Sequence, residues 1–132
     1  MTTRILPDSL KLIRNYLAGV STVQSYVAQR VYDKLPANPQ FPCVMLRRAG
    51  GRPEWYGDDR GLIDVHCYGR TDVEASALAR VAFKALMEAP QTHTEGVLTD
   101  VKPATDLQEQ NDPTYRPPQP RYVFGITVST HS

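Results

Sequence analysis

Leu62-Ile63-Asp64-Val65-His66-Cys67-Tyr68-Gly69-Arg70-Thr71-Asp72-Val73-Glu74-Ala75-Ser76-Ala77-Leu78-Ala79 changes its hydrophobic period part-way along, and that change decides the fold class. Up to Tyr68 the period is two: Ile63, Val65 and Cys67 share one side of a strand, and Asp64 and His66 share the other. One buried and one polar face is the pattern of an antiparallel sheet covered on one side. After Gly69 the period becomes helical. Thr71-Asp72-Val73-Glu74 is a capping box, in which the threonine hydroxyl accepts a bond in the first turn and the glutamate reaches back. Ala75, Leu78, Ala79, Ala82 and Leu86 then form one face down to about Met87, and Pro90 lies just beyond. So much alanine lets the helix axis approach the sheet closely, and neighbours must fill the space that larger side chains would occupy.

Upstream, Leu6, Leu10, Ile13 and Leu17 mark an amphipathic helix from about Pro7 to Ala18, with Pro7 in the first turn and Gly19 placed as a left-handed cap. A short helical turn follows at Thr22 to Ala28, then a brief strand at Arg30 to Asp33. Leu35 to Pro42 holds three prolines and reads as an extended connector. Cys43 to Ala49 reads as a strand, Gly50 to Arg60 as a loop, and Leu62 to Tyr68 as the partner strand. If that loop is centred on Trp55, Cys43 and Cys67 are cross-strand neighbours, whereas a slip of one residue separates them.

Downstream, Gly96 to Val101 reads as a strand and Arg121 to Thr130 as a long final one, in which Tyr122, Phe124, Ile126 and Val128 alternate with Val123, Gly125, Thr127 and Ser129. Between them Asp112 to Pro120 is a proline-rich, polyproline-like arm. The expected fold is α+β: a mainly antiparallel or mixed sheet of four to five strands, with two main helices on one face, in a single domain over residues 1–132.

Composition narrows the function. A chain of 132 residues with 41% hydrophobic and 22% charged residues is of globular, one-domain type. Its net charge is +1 with both signs scattered, a poor footprint for a nucleic-acid binder. Arginine outnumbers lysine 11 to 4, which suits bidentate interface pairs, although a GC-rich genome produces the same bias. No apolar run has the length of a membrane span or of a signal peptide, so the expectation is a protein that stays in the cytoplasm where it is made. Two cysteines outside any CxxC motif read as small buried hydrophobes.

Catalytic constellations are missing. Gly50-Gly51-Arg52-Pro53 has neither phosphate-loop spacing, and no GxSxG elbow precedes a helix. Asp64 and His66 are the sharpest enzyme-like pair, as acid and base or as two metal ligands, but His93 and His131 have no supporting spacing for a third ligand. Asp58-Asp59 lacks the alternating oxygens and closing glutamate of a calcium loop. No enzyme activity, metal or cofactor is expected. The Gly50–Arg60 loop exceeds ordinary hairpin loops of about two to five residues and carries the only tryptophan beside a tyrosine. Trp55 is either an interface anchor or a lid over the sheet edge. The arm around Tyr115 is either a connector or a strap onto a neighbour. The expected contact residues are Arg48, Arg52, Trp55, Tyr56, Asp58, Asp59, Asp64, His66, Tyr115 and Arg116.

Taken in order, Leu10 to Leu17, Arg30 to Pro36, Arg48-Ala49-Gly50-Gly51, Leu62 to Thr71 running into Glu74 to Ala79, and Pro120 to Phe124 resemble the tail terminator, or tail-completion, proteins of long-tailed bacteriophages, actinobacteriophages especially. The resemblance implies a homo-oligomeric ring, usually hexameric, that caps the finished tail tube and stops its polymerisation. One ring face would meet the major tail tube protein and the other a neck or head-completion protein. DNA would pass only as cargo, no membrane would be involved, and the ring, assembled in the host cytoplasm, would end at the tail–neck junction of the virion. The alternative within the same setting is a neck or head-completion protein. A small α+β enzyme is a weaker reading, and single-strand nucleic-acid binding lacks the surface aromatics and basic groove it needs.

Overall fold

Alternation in the centre of the chain does build the middle strand of a sheet, and helices cover one of its faces. The computed structural model describes residues 9–53, 58–89 and 98–131. In chain order the elements are α1 (Ser9–Gly19), α2 (Ser21–Val27), β1 (Val31–Tyr32), β2 (Cys43–Pro53), β3 (Asp58–Tyr68), α3 (Asp72–Met87), β4 (Leu98–Pro103), β5 (Gln108–Glu109) and β6 (Arg121–His131). The sheet runs β1-β2-β3-β6-β4, with β5 also against β6. Only β1 is parallel to its neighbour. The class is α+β as expected. The sheet has six strands, one more than the upper expectation, because β5 pairs just two residues with β6.

The helices bury their stripes against one sheet face. Ile13 and Leu17 of α1, Val23 and Val27 of α2, and Leu78, Ala82 and Leu86 of α3 close over Val44, Leu46, Ile63, Val65, Cys67, Phe124, Ile126 and Val128. Phe83 meets Phe124 edge-on at 5.5 Å and fills space that the alanines of α3 leave open. Tyr16 of α1 donates its hydroxyl to the Ala85 carbonyl at 2.7 Å, tying α1 to the last turns of α3.

Three local readings are refined. The helical cap at Thr71 forms, since the Thr71 hydroxyl accepts from the Glu74 N–H at 3.1 Å. Glu74, however, reaches past the cap residue to the Arg70 N–H at 2.9 Å and also takes the Arg70 guanidinium at 2.7 Å. Gly19 ends α1 without a left-handed φ. The left-handed residue is Ala28 at the end of α2, with φ 54°. Pro7 and Leu6 lie outside the described residues. The proline-rich arm is a turn rather than a free extended segment, because an antiparallel bridge joins Asp112 to Gln119.

The loop expected at 50–60 is the largest correction. The strands continue to Pro53 and from Asp58, well inside the expected loop. A register shift between Arg48 and Gly50 adds one residue to β2 ahead of the Gly50-Gly51 pair, where a bulge is sterically easy. The slipped register is the one adopted: Cys43 stands opposite Tyr68, and Val44 opposite Cys67. The two cysteines therefore point to opposite faces, and both are free thiols.

Gly69 joins β3 to α3 at a point where the backbone leaves no room. A Cβ there would run into the Ala75 backbone nitrogen. Replacing Gly69 by Ala is expected to cost about 3 kcal/mol or more, at the upper end of overpacking penalties. Thr71→Ala should cost about 1 kcal/mol through loss of the cap. Thermal unfolding of both variants checks this: a Gly69→Ala protein that melts like the parent would contradict the packing described.

Candidate functional site

The sheet face away from the helices carries the polar side chains. Cross-strand register builds it in rows, Cys43–Tyr68–Arg121, then Met45–His66–Val123, then Arg47–Asp64–Gly125. The missing side chain at Gly125 is filled by the β4–β5 connection, because a Cβ there would meet the Thr105 hydroxyl at 3.0 Å and the Ala104 methyl at 3.7 Å. That hydroxyl accepts the Gly125 N–H at 2.6 Å.

At one end of this face the 110–120 segment folds back and forms a second small cluster. Phe41 stacks at 5.6 Å on Tyr68 and meets Tyr115 edge-on at 5.7 Å. Asp112 is the one buried charged residue among those described. Its carboxylate accepts from the Tyr68 hydroxyl at 2.8 Å and, in an Asx turn, from the Thr114 N–H at 2.9 Å. The Arg121 guanidinium lies 3.7 Å away and stands over the Tyr68 ring at 5.7 Å. Burial opposes ionisation of Asp112, but the Thr114 and Tyr68 bonds and the Arg121 charge outweigh it and hold the carboxyl below its usual value. Burial pushes the Tyr68 phenol up to about 12, so it remains a donor. Burial likewise raises the Cys43 thiol, to about 12, and Cys67 further still, leaving both unreactive.

Asp64 and His66 do share this face, half-buried, but they do not form an acid–base pair. Both ring nitrogens of His66 are screened from solvent and have no hydrogen-bond partner. Burial, then the Arg121 charge, lowers the His66 pKa, with Asp64 opposing weakly, so the ring is neutral near pH 7. Among the described residues no three His, Cys, Asp or Glu side chains gather as a metal site. His93 lies outside those residues. A surface cleft of about 260 Å³ between the helices is lined by Tyr16, Val20, Thr22, Val81, Lys84, Ala85 and Glu88, and no nucleophile–base pair meets in it.

The other expected contact residues are dispersed. Arg48 is an exposed residue of β2. Arg52 is a register partner of Arg60, and Asp58 and Asp59 open β3 beside His131 and Thr130. Trp55 and Tyr56 lie outside the described residues. Tyr115 is half-buried against Phe41 of its own chain, while Arg116 is exposed. Arg47, exposed next to Asp64 on the outer face, and the Tyr68–Asp112–Arg121 network went unread in the sequence. Asp112-Pro113-Thr114 is an Asx-turn signature that marks one end of that network.

The model of the family described as tail completion protein gp17 matches residues 11–117. The chain belongs to that family. Its members are structural phage tail proteins rather than enzymes. No curated protein sequence matches this family member. Among solved structures, a chain from the virion of a native gene transfer agent particle aligns with TM-score 0.67 at 12% identity, covering 96% of this chain and 100% of its own. At that identity the likeness is one of fold. It spans the helical layer and the sheet together.

Asp112 supplies a pH signature. A carboxyl held below its usual value stabilises the fold above the unfolded pKa of about 4, and that contribution fades as pH falls through the lowered folded value. Asp112→Asn is expected to lower stability by about 1–3 kcal/mol near neutral pH. Its melting temperature should converge with that of the parent only at pH below about 4. A gap that persists unchanged into strong acid would contradict this charge assignment.

Proposed function

We propose that this chain, acting as one domain, is the subunit of a ring that caps the tail tube at the end away from the baseplate, stops tube polymerisation and provides the joint to the neck and head. The observation that carries the reading is membership of the tail completion family over residues 11–117, supported by the fold shared along almost the whole chain with a component of a phage-like particle. A ring needs a heterologous interface whose rotation closes, and its two faces need different partners. One face would receive the major tail tube protein and the other a neck or head-completion protein, with complementary charge supplying specificity. The β2–β3 hairpin with Arg48, Arg52, Trp55, Tyr56, Asp58 and Asp59, the outer face with Asp64 and His66, and the exposed turn around Tyr115 and Arg116 are the surfaces assigned to these contacts. DNA passes through such a joint without being recognised. Assembly takes place in the host cytoplasm, and the finished ring sits at the tail–neck junction.

Two measurements test this. Light scattering of the purified protein, alone and with its tube protein, should give a ring-sized particle, hexameric by expectation. A persistent monomer in every condition would overturn the ring. Deleting the gene from the phage should give overlong tails, headless where the joint to the neck is also lost. Normal tails would exclude termination, and tails of normal length without heads would favour the head-completion alternative.

A further inference from the structure

His66 is a polar group that the fold shuts away without a partner. Its ring stands on the outer sheet face between its register partners, Met45 of β2 and Val123 of β6, both half-buried. Side chains directly opposite each other in such pairs lie about 5 Å apart at Cβ. A neutral imidazole carries one N–H donor and one acceptor nitrogen. Here both nitrogens are screened from solvent, and neither has a hydrogen-bond partner.

Charges surround the ring unevenly. Arg47 of β2 and Arg121 of β6 are its diagonal neighbours, at opposite corners. Along β3 itself Asp64 and the Tyr68 phenol stand two residues away, one in each direction. Cys43 of β2 shares the face, and burial keeps its thiol un-ionised. Asp64 lies over Gly125, with Oδ1 3.5 Å from the point a Cβ there would occupy. Asp112, in the 110–120 turn, already holds the Tyr68 hydroxyl and the Thr114 N–H. Two cations thus flank the ring, and neither carboxylate bonds to it. A protonated imidazole presents two N–H donors and no acceptor. It would do so where neither nitrogen meets an acceptor and two like charges stand beside it.

We infer that His66 is an acid-sensitive latch of the outer face: neutral, the ring fits between Met45 and Val123, and on gaining a proton it leaves that site for solvent and loosens the packing across β2, β3 and β6. Burial and charge act together, since desolvation first and the Arg121 charge next lower the His66 pKa, with Asp64 opposing. The unfolded chain therefore takes up the proton first, near the ordinary value of 6.5. Stability is full above that pH and falls as pH drops from there through the lower folded value. This step lies above that of Asp112, which begins at about pH 4. The latch belongs to the single chain, so it stands or falls apart from the ring reading.

Thermal unfolding of the full chain from about pH 8 to about pH 5, parent beside His66→Leu, tests it. Below 6.5 the unfolding constant of the parent should rise relative to that of the variant, by up to about tenfold per pH unit, until the folded ring titrates. Stability curves that run parallel over the whole range overturn the latch. Nuclear magnetic resonance titration of the His66 ring in the folded parent decides should the variant fail to fold. A midpoint below 6.5 is expected, and one at or above 6.5 overturns the inference. Arg47→Glu, which exchanges an exposed corner cation for a carboxylate, should raise that midpoint. A midpoint that stays in place overturns the charge argument on which the latch depends.

Discussion

Strand β3 is held on three sides, by the helices and by two partner strands, and its register is the constraint on which the rest of the molecule depends. Ile63, Val65 and Cys67 are fully buried beneath the helices, while Asp64, His66 and Tyr68 lie on the other face. β2 and β6 bond to its two edges along nearly its whole length. A slip of one residue would bring Asp64 and His66 into the helical core and expel three apolar side chains. Burying a charge without a partner costs far more than the bulge in β2. The irregularity is therefore taken up in β2, between Arg48 and Gly50.

The same register makes the sheet two-sided in an uneven way. The helical side is a continuous apolar core, to which α3 contributes mostly alanines, and Gly69 lets its first turn settle against the end of β3. The outer side is only locally closed. Asp112, Tyr68 and Arg121 draw the proline-rich turn onto Phe41 at one end, and Thr105 sits in the space above Gly125 in the middle. A buried carboxylate with two hydrogen-bond donors and a guanidinium beside it favours one position of the turn over others, since any displacement leaves the charge unpaired. Between these patches His66 remains neutral, its ring shielded and unbonded.

The tail completion family is one of structural phage tail proteins, and among the described residues of this member no catalytic or metal-binding cluster gathers. Asp112 braces the fold from a buried position, while Arg47 and Arg116 are exposed. Two short strands close the lower edges of the sheet, while the upper edges meet no strand among the described residues. The paired β2, β3 and β6 continue beyond the end that β1 and β5 cap.

How much of this was legible follows from the range of each interaction. Period and capping are written in neighbouring residues, so the α+β class, the α3 helix with Thr71 as its cap, the buried row Ile63–Val65–Cys67 and the polar pair Asp64 and His66 could all be read from the chain. The family resemblance was legible too, in the order of short motifs along the chain. The extension of the hairpin to Pro53 and Asp58 could not be read in that way, because glycines and charged residues that look like a loop become strand when two partner strands supply their hydrogen bonds. The separation of Cys43 from Cys67 depended on the register that the core imposed. The Tyr68–Asp112–Arg121 network joins residues 44 positions apart between the first two, a distance over which local pattern carries no information. The sequence by itself determined which residues prefer strand, helix and burial. Which strands lie side by side, at what height, and which edges stay open was decided only by tertiary structure, because hydrogen-bond register between distant strands is settled by the packing of the whole core.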